Sequence, residues 1–331
     1  MSFASTQPHA PPDNEYEDLL GQWLDLEAAV STLVAHPAQV QDFLVKVRLC
    51  ERWLQDLVAH DTDAALYLMF QLASTSTAGY SASHALVCAT LCHVVARDLA
   101  LPPSERHSLV RAAFTMNLGM TALQDLLALQ HEPLAPEQKQ AIARHPQAAV
   151  QLLVKLHVID DLWLSVVERH HQIQSDSEPL LSQSPLVRLT RILGVIDRYA
   201  AMISPRRFRA GRSATESVRA IMGQDLKNSD EVGLALVRSV GLCPPGTFVR
   251  LSNGQVAVVL RRSSKANFPQ VASLLDAQGA ELAPPQLHAT HEGRTQVESA
   301  LARASVPLDP SHRTMVRVGL YATRRTSSIE R

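Results

Sequence analysis

The sequence predicts a mainly α protein with a small β-rich appendage at its C-terminal end, and three observations predict it. From Glu15 to Gln224 the apolar residues recur three and four positions apart, which is the period of one helix face. Glycine is scarce, with 13 in 331 residues, and Gly119, Gly211 and Gly223 fall where helices would end. After Gly241 the pattern turns extended. The runs 247–251 and 255–260 flank Ser252-Asn253-Gly254, and Asn-Gly between two such runs is a hairpin signal.

Residues 1–14 read as a disordered tail, because adjacent prolines and small polar side chains offer nothing to bury. Residues 15–75 read as an N-terminal helical region, through Leu19, Leu20, Trp23 and Leu24, then Phe43, Leu44 and Val47, then Leu54, Leu57 and Val58, then Leu66, Leu68 and Met69. Its breaks fall at Pro37 and at Asp61-Thr62-Asp63. Residues 80–235 form the main helical domain, with helices near 83–100, 104–116, 136–144, 147–156, 159–171, 185–203 and 213–223. Pro146 is read there as the start of a separate helix. Residues 240–322 form the β-rich extension, with further short strands at 270–275 and 314–321 and a loose end after Thr323.

Composition narrows the function classes. A chain of 331 residues exceeds the usual size of one core, and 46% hydrophobic against 19% charged residues is globular composition. A net charge of -1 supplies no global field for nucleic acid or an anionic membrane, so neither is expected as a partner. There is no apolar run of about eighteen residues and no signal-like start, from which a cytoplasmic location is expected. The four cysteines, Cys50, Cys88, Cys92 and Cys243, include no CxxC pair and read as free thiols.

Glycine-rich phosphate loops, a GxSxG elbow and an HExxH pair are all missing from the sequence. What stands out is the placement of imidazole and carboxylate groups. His84 opens one helix, His145 precedes Pro146, His170 and His171 end another, and Asp197 sits inside a fourth. Four helices directing such groups to one point would make a metal centre, whereas each histidine taken singly reads as a surface or hydrogen-bonded residue. His84, Cys88 and Cys92 recur at i, i+4 and i+8, which fits either zinc ligation or small core residues behind His84. The usual burial of free cysteine favours the core.

Several segments in order resemble HD-GYP domains, the bacterial cyclic di-GMP phosphodiesterases of the HD superfamily of metal-dependent phosphohydrolases. Residues 116–146, MNLGMTALQDLLALQHEPLAPEQKQAIARHP, are similar to the segment that begins HDIGK and ends in a histidine-proline pair. VVERHHQ (166–172) resembles the HHE motif, RILGVIDRYAAMISPRRFR (191–209) resembles the segment carrying the last aspartate, and 241–260 resembles the extension that follows the domain. The resemblance covers roughly 80–260. It implies an HD-type helical bundle in which His84, His145, His170, His171 and Asp197 are metal ligands.

The departures fall on the chemical core of the family. Its His-Asp pair corresponds to Met116-Asn117 and the following lysine to Met120, so a soft thioether and a neutral amide replace a metal ligand and a bridging anion. The GYP stretch falls on Glu178-Pro179-Leu180, and the glutamate one turn before His84 is Tyr80. Five retained groups fit one divalent ion (Fe, Mn or Zn), and they equally fit a metal-free cluster of histidines bonded around Asp197. Arg188, Arg191, Arg198, Arg206, Arg207, Arg209, Arg212 and Arg219 meet only Asp197 and Glu216 in their own span. They fit a solvated face or a phosphate site, with Arg206, Arg207 and Arg209 the residues to contact a bis-phosphate nucleotide. The expectation is a degenerate, hydrolytically inactive module in cyclic-di-GMP-related signalling, whose partner is cyclic di-GMP or a signalling protein. The alternative is an active phosphodiesterase with a non-standard metal site.

Overall fold

The computed structural model describes residues 13–75, 79–172, 178–204, 211–222, 230–291 and 294–319. Among the described residues, eleven α-helices precede the sheet: α1 (Asp13–Ala35), α2 (Phe43–His60), α3 (Thr62–Thr75), α4 (Tyr80–Asp98), α5 (Pro103–Thr115), α6 (Thr121–Leu129), α7 (Pro136–Lys155), α8 (Asp161–Arg169), α9 (Pro185–Ile203), α10 (Ala214–Met222) and α11 (Glu231–Val240). The strands are β1 (Phe248–Leu251), β2 (Val256–Arg261), β3 (Gln270–Leu275), β4 (Glu281–Ala289) and β5 (Val297–Leu301), and residues 312–319 form α12. Mainly helical architecture with a small C-terminal sheet is what the periodicity predicted. Among the described residues no helix is long and apolar enough to cross a membrane.

Helix starts follow from local chemistry. Asp61 accepts the Asp63 and Ala64 N–H groups ahead of α3, Asp160 accepts from Trp163 at the start of α8, and Asp230 accepts from Val232 and Gly233 at the start of α11. Pro103, Pro136 and Pro185 occupy first-turn positions, where a missing N–H takes nothing from the helix. The centre of the body is α4, buried at every position from Tyr80 to Ala96. A helix enclosed all round has no solvent face, so α1, α3, α5, α9 and α11 pack about it.

The sheet is antiparallel, in the order β4-β3-β2-β1-β5, and β1 and β2 are joined through Asn253-Gly254. Alternation divides its side chains between two apolar clusters. Phe248, Val258, Leu260 and Ala272 join the core of the helices, while Val249, Leu251, Val259 and Val271 form a small core on the other face. The sheet is therefore fused to the body. Arg261 bonds Asp61 at 2.9 Å and Arg262 bonds Asp63 at 2.6 Å, tying β2 to the start of α3. Gly246 (φ +89°) lies so close to α3 that a Cβ there would be 2.7 Å from the Tyr67 carbonyl oxygen, and the Gln71 amide donates to the Gly246 carbonyl at 2.5 Å.

Five local expectations need correction. Asp13 and Asn14, read as tail, belong to α1, and residues 1–12 lie outside the described residues. The helices expected at 136–144 and 147–156 are one helix, α7, with Pro146 inside it. Its neighbour His145 supplies the N–H that proline lacks, since His145 Nδ1 donates at 2.6 Å to the Ile142 carbonyl four residues before Pro146. The strand expected at 314–321 is helical through 319, because Met315, Val316 and Gly319 are buried on one side and the turn opens with Thr314 N–H on the Ser311 hydroxyl. Helices α6 and α11 were not anticipated. Nor were β4 and β5, which are the exposed edges of the sheet and show no clean apolar alternation.

Candidate functional site

Four elements carry the histidine and aspartate side chains that the sequence singled out. His84 lies in the second turn of α4, His145 on α7, His170 and His171 at the end of α8, and Asp197 on α9. They meet inside the body as two donor groups, His145 with His170 and His171, and His84 with Asp197 and Cys88. Within each group the donor atoms lie within 4.8 Å of one another.

The first group has its ring tautomers set by backbone. His145 Nδ1–H donates to the Ile142 carbonyl at 2.6 Å and His170 Nδ1–H to the Val167 carbonyl at 2.7 Å. Each ring thereby presents an Nε2 lone pair, and these two nitrogens face each other at 3.2 Å. Burial depresses both rings, His170 to about 4 and His145 below its ordinary value, so near neutral pH neither carries a proton to place between them. Two buried acceptors at this distance fit a shared cation. With metal–nitrogen bonds of about 2.0–2.1 Å, the edge between two imidazole ligands of a tetrahedral ion is about 3.3 Å. The exposed edge of the group is His171, whose ring lies 4.1 Å from that of His170 and 5.1 Å from that of His145.

In the second group His84 Nε2 lies 2.8 Å from Asp197 Oδ1 and 3.5 Å from Cys88 Sγ. Burial by itself would raise the Asp197 carboxyl, but the His84 hydrogen bond and the nearby His84, His170 and His171 rings hold it well below the ordinary carboxylate value. An ionised carboxylate only accepts, so the hydrogen between them sits on His84 Nε2. His84 Nδ1 is buried without a hydrogen-bond partner. Burial first, and the Asp197 charge second, push the Cys88 thiol well up, so the free side chain is protonated. Tyr80 stacks on His84, with ring centroids 5.6 Å apart and 13° between planes.

The segment that the resemblance aligns with the His-Asp pair sits against the first group. Gly119 presses on α7 so closely that a Cβ there would be 2.3 Å from the His145 carbonyl oxygen and 2.9 Å from the Ala149 nitrogen. Met116, which caps α5, is fully buried in the main apolar core. Asn117 and Met120 are half-buried. No carboxylate comes from this segment.

Other singled-out residues have plainer surroundings. Arg188 is paired with Glu105 at 2.6 Å and Arg191 with Asp230 at 3.1 Å, so part of the arginine run serves helix packing. Arg206, Arg207 and Arg209 lie outside the described residues. Of the GYP-equivalent positions, Glu178 and Pro179 are exposed and Leu180 is buried, with its N–H on the Glu231 carboxylate. Sequence reasoning favoured a core role for both Cys88 and Cys92. Both are buried, but Cys88 also touches the donor group, and its i+4 spacing from His84 was the available signal.

The helical bundle thus brings histidines and an aspartate from four helices together as two groups of potential metal donors. The chain belongs to the HD domain family, which matches residues 66–231. Over 211 residues it is 27% identical to a cyclic di-GMP phosphodiesterase of Pseudomonas aeruginosa, an alignment covering 63% of this chain and 51% of that protein. Over 168 residues it is 24% identical to a 3'3'-cGAMP-specific phosphodiesterase of Vibrio cholerae, covering 50% of this chain and 36% of that protein. The chain thus spans about half or less of the length of these relatives. No solved structure matches it.

Proposed function

We propose that this chain is a non-hydrolysing HD module that binds one divalent ion at His145, His170 and His171, beside the Asp197 charge, and serves as a binding or interaction module in cyclic-dinucleotide signalling. The observation that carries this reading is the neutral segment after α5. Met116 is a core side chain with no exposure, and Asn117 offers an amide where the resemblance implies a bridging carboxylate. A divalent ion bound by these histidines would supply Lewis acidity. The chain's own residues then hold and orient it: the Ile142 and Val167 carbonyls fix the ring tautomers, and Asp197 contributes negative charge. Asn117, a neutral amide, does not supply the bridging anion that phosphodiester hydrolysis in two-metal sites uses.

The similarity to enzymes acting on cyclic dinucleotides makes cyclic di-GMP the ligand to test, and Arg206, Arg207 and Arg209 are the residues proposed to meet its phosphates. A second reading, a working single-metal phosphohydrolase, is favoured by the facing Nε2 atoms of His145 and His170. Metal analysis of the purified chain, with turnover of cyclic di-GMP and 3'3'-cGAMP measured on the same sample, decides between them. Bound metal without turnover supports the module, whereas turnover abolished by His170→Ala establishes the enzyme. Calorimetric titration of cyclic di-GMP into wild type and an Arg206→Ala/Arg207→Ala variant then tests ligand sensing.

A further inference from the structure

Away from the donor groups, the N-terminal helices carry a groove of about 720 Å³ between α1 and α2. It is lined by Ala29 and Leu33 from α1 and by Leu49, Cys50 and Trp53 from α2. Leu49 is 42% exposed and Val45, one turn before it, 52%, so the apolar lining continues onto the surface of α2. Contiguous exposed apolar surface of this kind marks an association site. We infer that the groove is filled by a second copy of the chain, the two α2 helices packing antiparallel about a twofold axis.

Glu51 fixes which way the outer face of α2 points. Its buried carboxylate is held by His107 and Arg111 of α5, so the side of α2 opposite Glu51 is turned away from the body. At about 100° per residue, Leu49 and Trp53 lie within about 20° of that opposite direction, and Lys46 and Asp56 within about 40°. These four positions are symmetric in sequence about Glu51, with Leu49 and Trp53 two residues to either side and Lys46 and Asp56 five. A twofold axis at the level of Glu51 therefore sets Leu49 against the partner's Trp53 and Lys46 against the partner's Asp56, and each pair occurs twice. Apolar side chains meet at the centre and opposite charges at the rim, which is the ordinary anatomy of an interface. A parallel pairing would set Lys46 on the partner's Lys46.

The charges select the occupant. Lys46 and Asp56 are exposed and form no ion pair among the described residues, so both remain available to a partner. Any amphipathic helix matches the apolar lining, whereas α2 of a second copy also matches the cation and the anion placed on either side of it. Ala29 on α1 has a small side chain, which leaves room for that helix to approach. None of the grouped histidine, cysteine and aspartate donors lies on α1 or α2, so the inference does not rest on the ion proposed at His145, His170 and His171.

The test starts with the full-length wild type. Sedimentation velocity over about a hundredfold range of concentration should show a monomer–dimer equilibrium that added salt weakens. A carbodiimide, which joins an amine to a carboxylate without a spacer, should then link Lys46 to Asp56 in the dimer, as read by peptide mass spectrometry. Within one chain these residues are about 15 Å apart along α2, so the linked peptide reports contact between copies. Leu49→Glu should abolish dimerisation. Lys46→Glu and Asp56→Lys should each raise the dimer dissociation constant at least about tenfold, because two attractive pairs become repulsive, and the double variant should restore it. A wild type that is monomeric at every concentration overturns the inference, as does a dimer that Leu49→Glu leaves intact. A dimer without the Lys46–Asp56 link, or one weakened by the single exchanges and not recovered by the double, refutes the antiparallel pairing. The wild-type measurements hold even if a variant folds poorly.

Discussion

Replacing Gly119 by alanine places a methyl group where the turn between α5 and α6 lies flat on α7. The new Cβ would be 2.3 Å from the His145 carbonyl oxygen, 2.9 Å from the Ala149 nitrogen and 2.9 Å from the Ala148 Cβ, while ordinary contact begins near 3.4 Å. Two of these neighbours are helix backbone, which cannot rotate aside. The turn must therefore back away from α7 by roughly 1 Å, or α7 must bend at His145, and overpacking of this kind costs about 1–3 kcal/mol. With rigid backbone on two sides we expect the upper part of that range, and a fall in Tm of roughly 5–10 °C. His145 is the residue whose carbonyl is struck, so zinc affinity at the His145, His170 and His171 group should fall by about tenfold or more. Gly21→Ala is the matched control. Gly21 lies within α1 with nothing within 4 Å of the added carbon, so that variant should gain about 0.5–1 kcal/mol. The assay is differential scanning calorimetry of both variants with and without zinc. A Gly119→Ala protein that melts within a degree of wild type and binds zinc equally well would refute the packing of this turn against α7.

Three further outcomes are expected. Glu51, 1% exposed, binds His107 Nδ1 at 2.6 Å and Arg111 Nε at 2.7 Å across the α2–α5 contact, so Glu51→Ala strands a largely buried guanidinium and should lose about 3 kcal/mol in urea unfolding; a loss below about 1 kcal/mol would contradict it. Asp61 both caps α3 and pairs with Arg261, so Asp61→Ala should cost about 3 kcal/mol and speed hydrogen exchange in β2, while unchanged exchange there would show that the sheet does not depend on this tie. His93 and His170 are held neutral in the fold, each lowered from 6.5 to about 4 chiefly by burial, whereas the unfolded chain takes up these protons below about pH 6.5. Metal-stripped protein should keep its full stability above pH 6.5 and lose up to about 3 kcal/mol per residue as pH falls to about 4, and a His93→Gln variant whose pH profile is as steep as wild type would count against this assignment.

Helix periodicity, proline at first turns and aspartate caps are properties of a few neighbouring residues. For that reason the helical body, its breaks near Pro37 and Asp61, and the β1–β2 hairpin were legible from sequence. The ordered motif segments likewise pointed to His84, His145, His170, His171 and Asp197 and to the neutral residues Met116 and Asn117. Other features depended on partners distant along the chain. Edge strand β4 carries Pro284 and Pro285 and is mostly exposed, so it had neither the alternation nor the composition of a strand, and its pairing with β3 decides it. The run 312–319 is helical because Met315 and Val316 dock on the common core, which no local pattern records. Pro146 stays inside α7 because the adjacent imidazole takes the carbonyl that the proline leaves free. Only the packing of α7 and α8 brings the Nε2 atoms of His145 and His170 face to face at 3.2 Å, and only the crossing of α4 and α9 sets Asp197 beside His84 and Cys88. Residue spacing in the chain determines which side chains share a helix face, whereas the division of these donors into a nitrogen group and a thiol-bearing group is a property of how four helices pack.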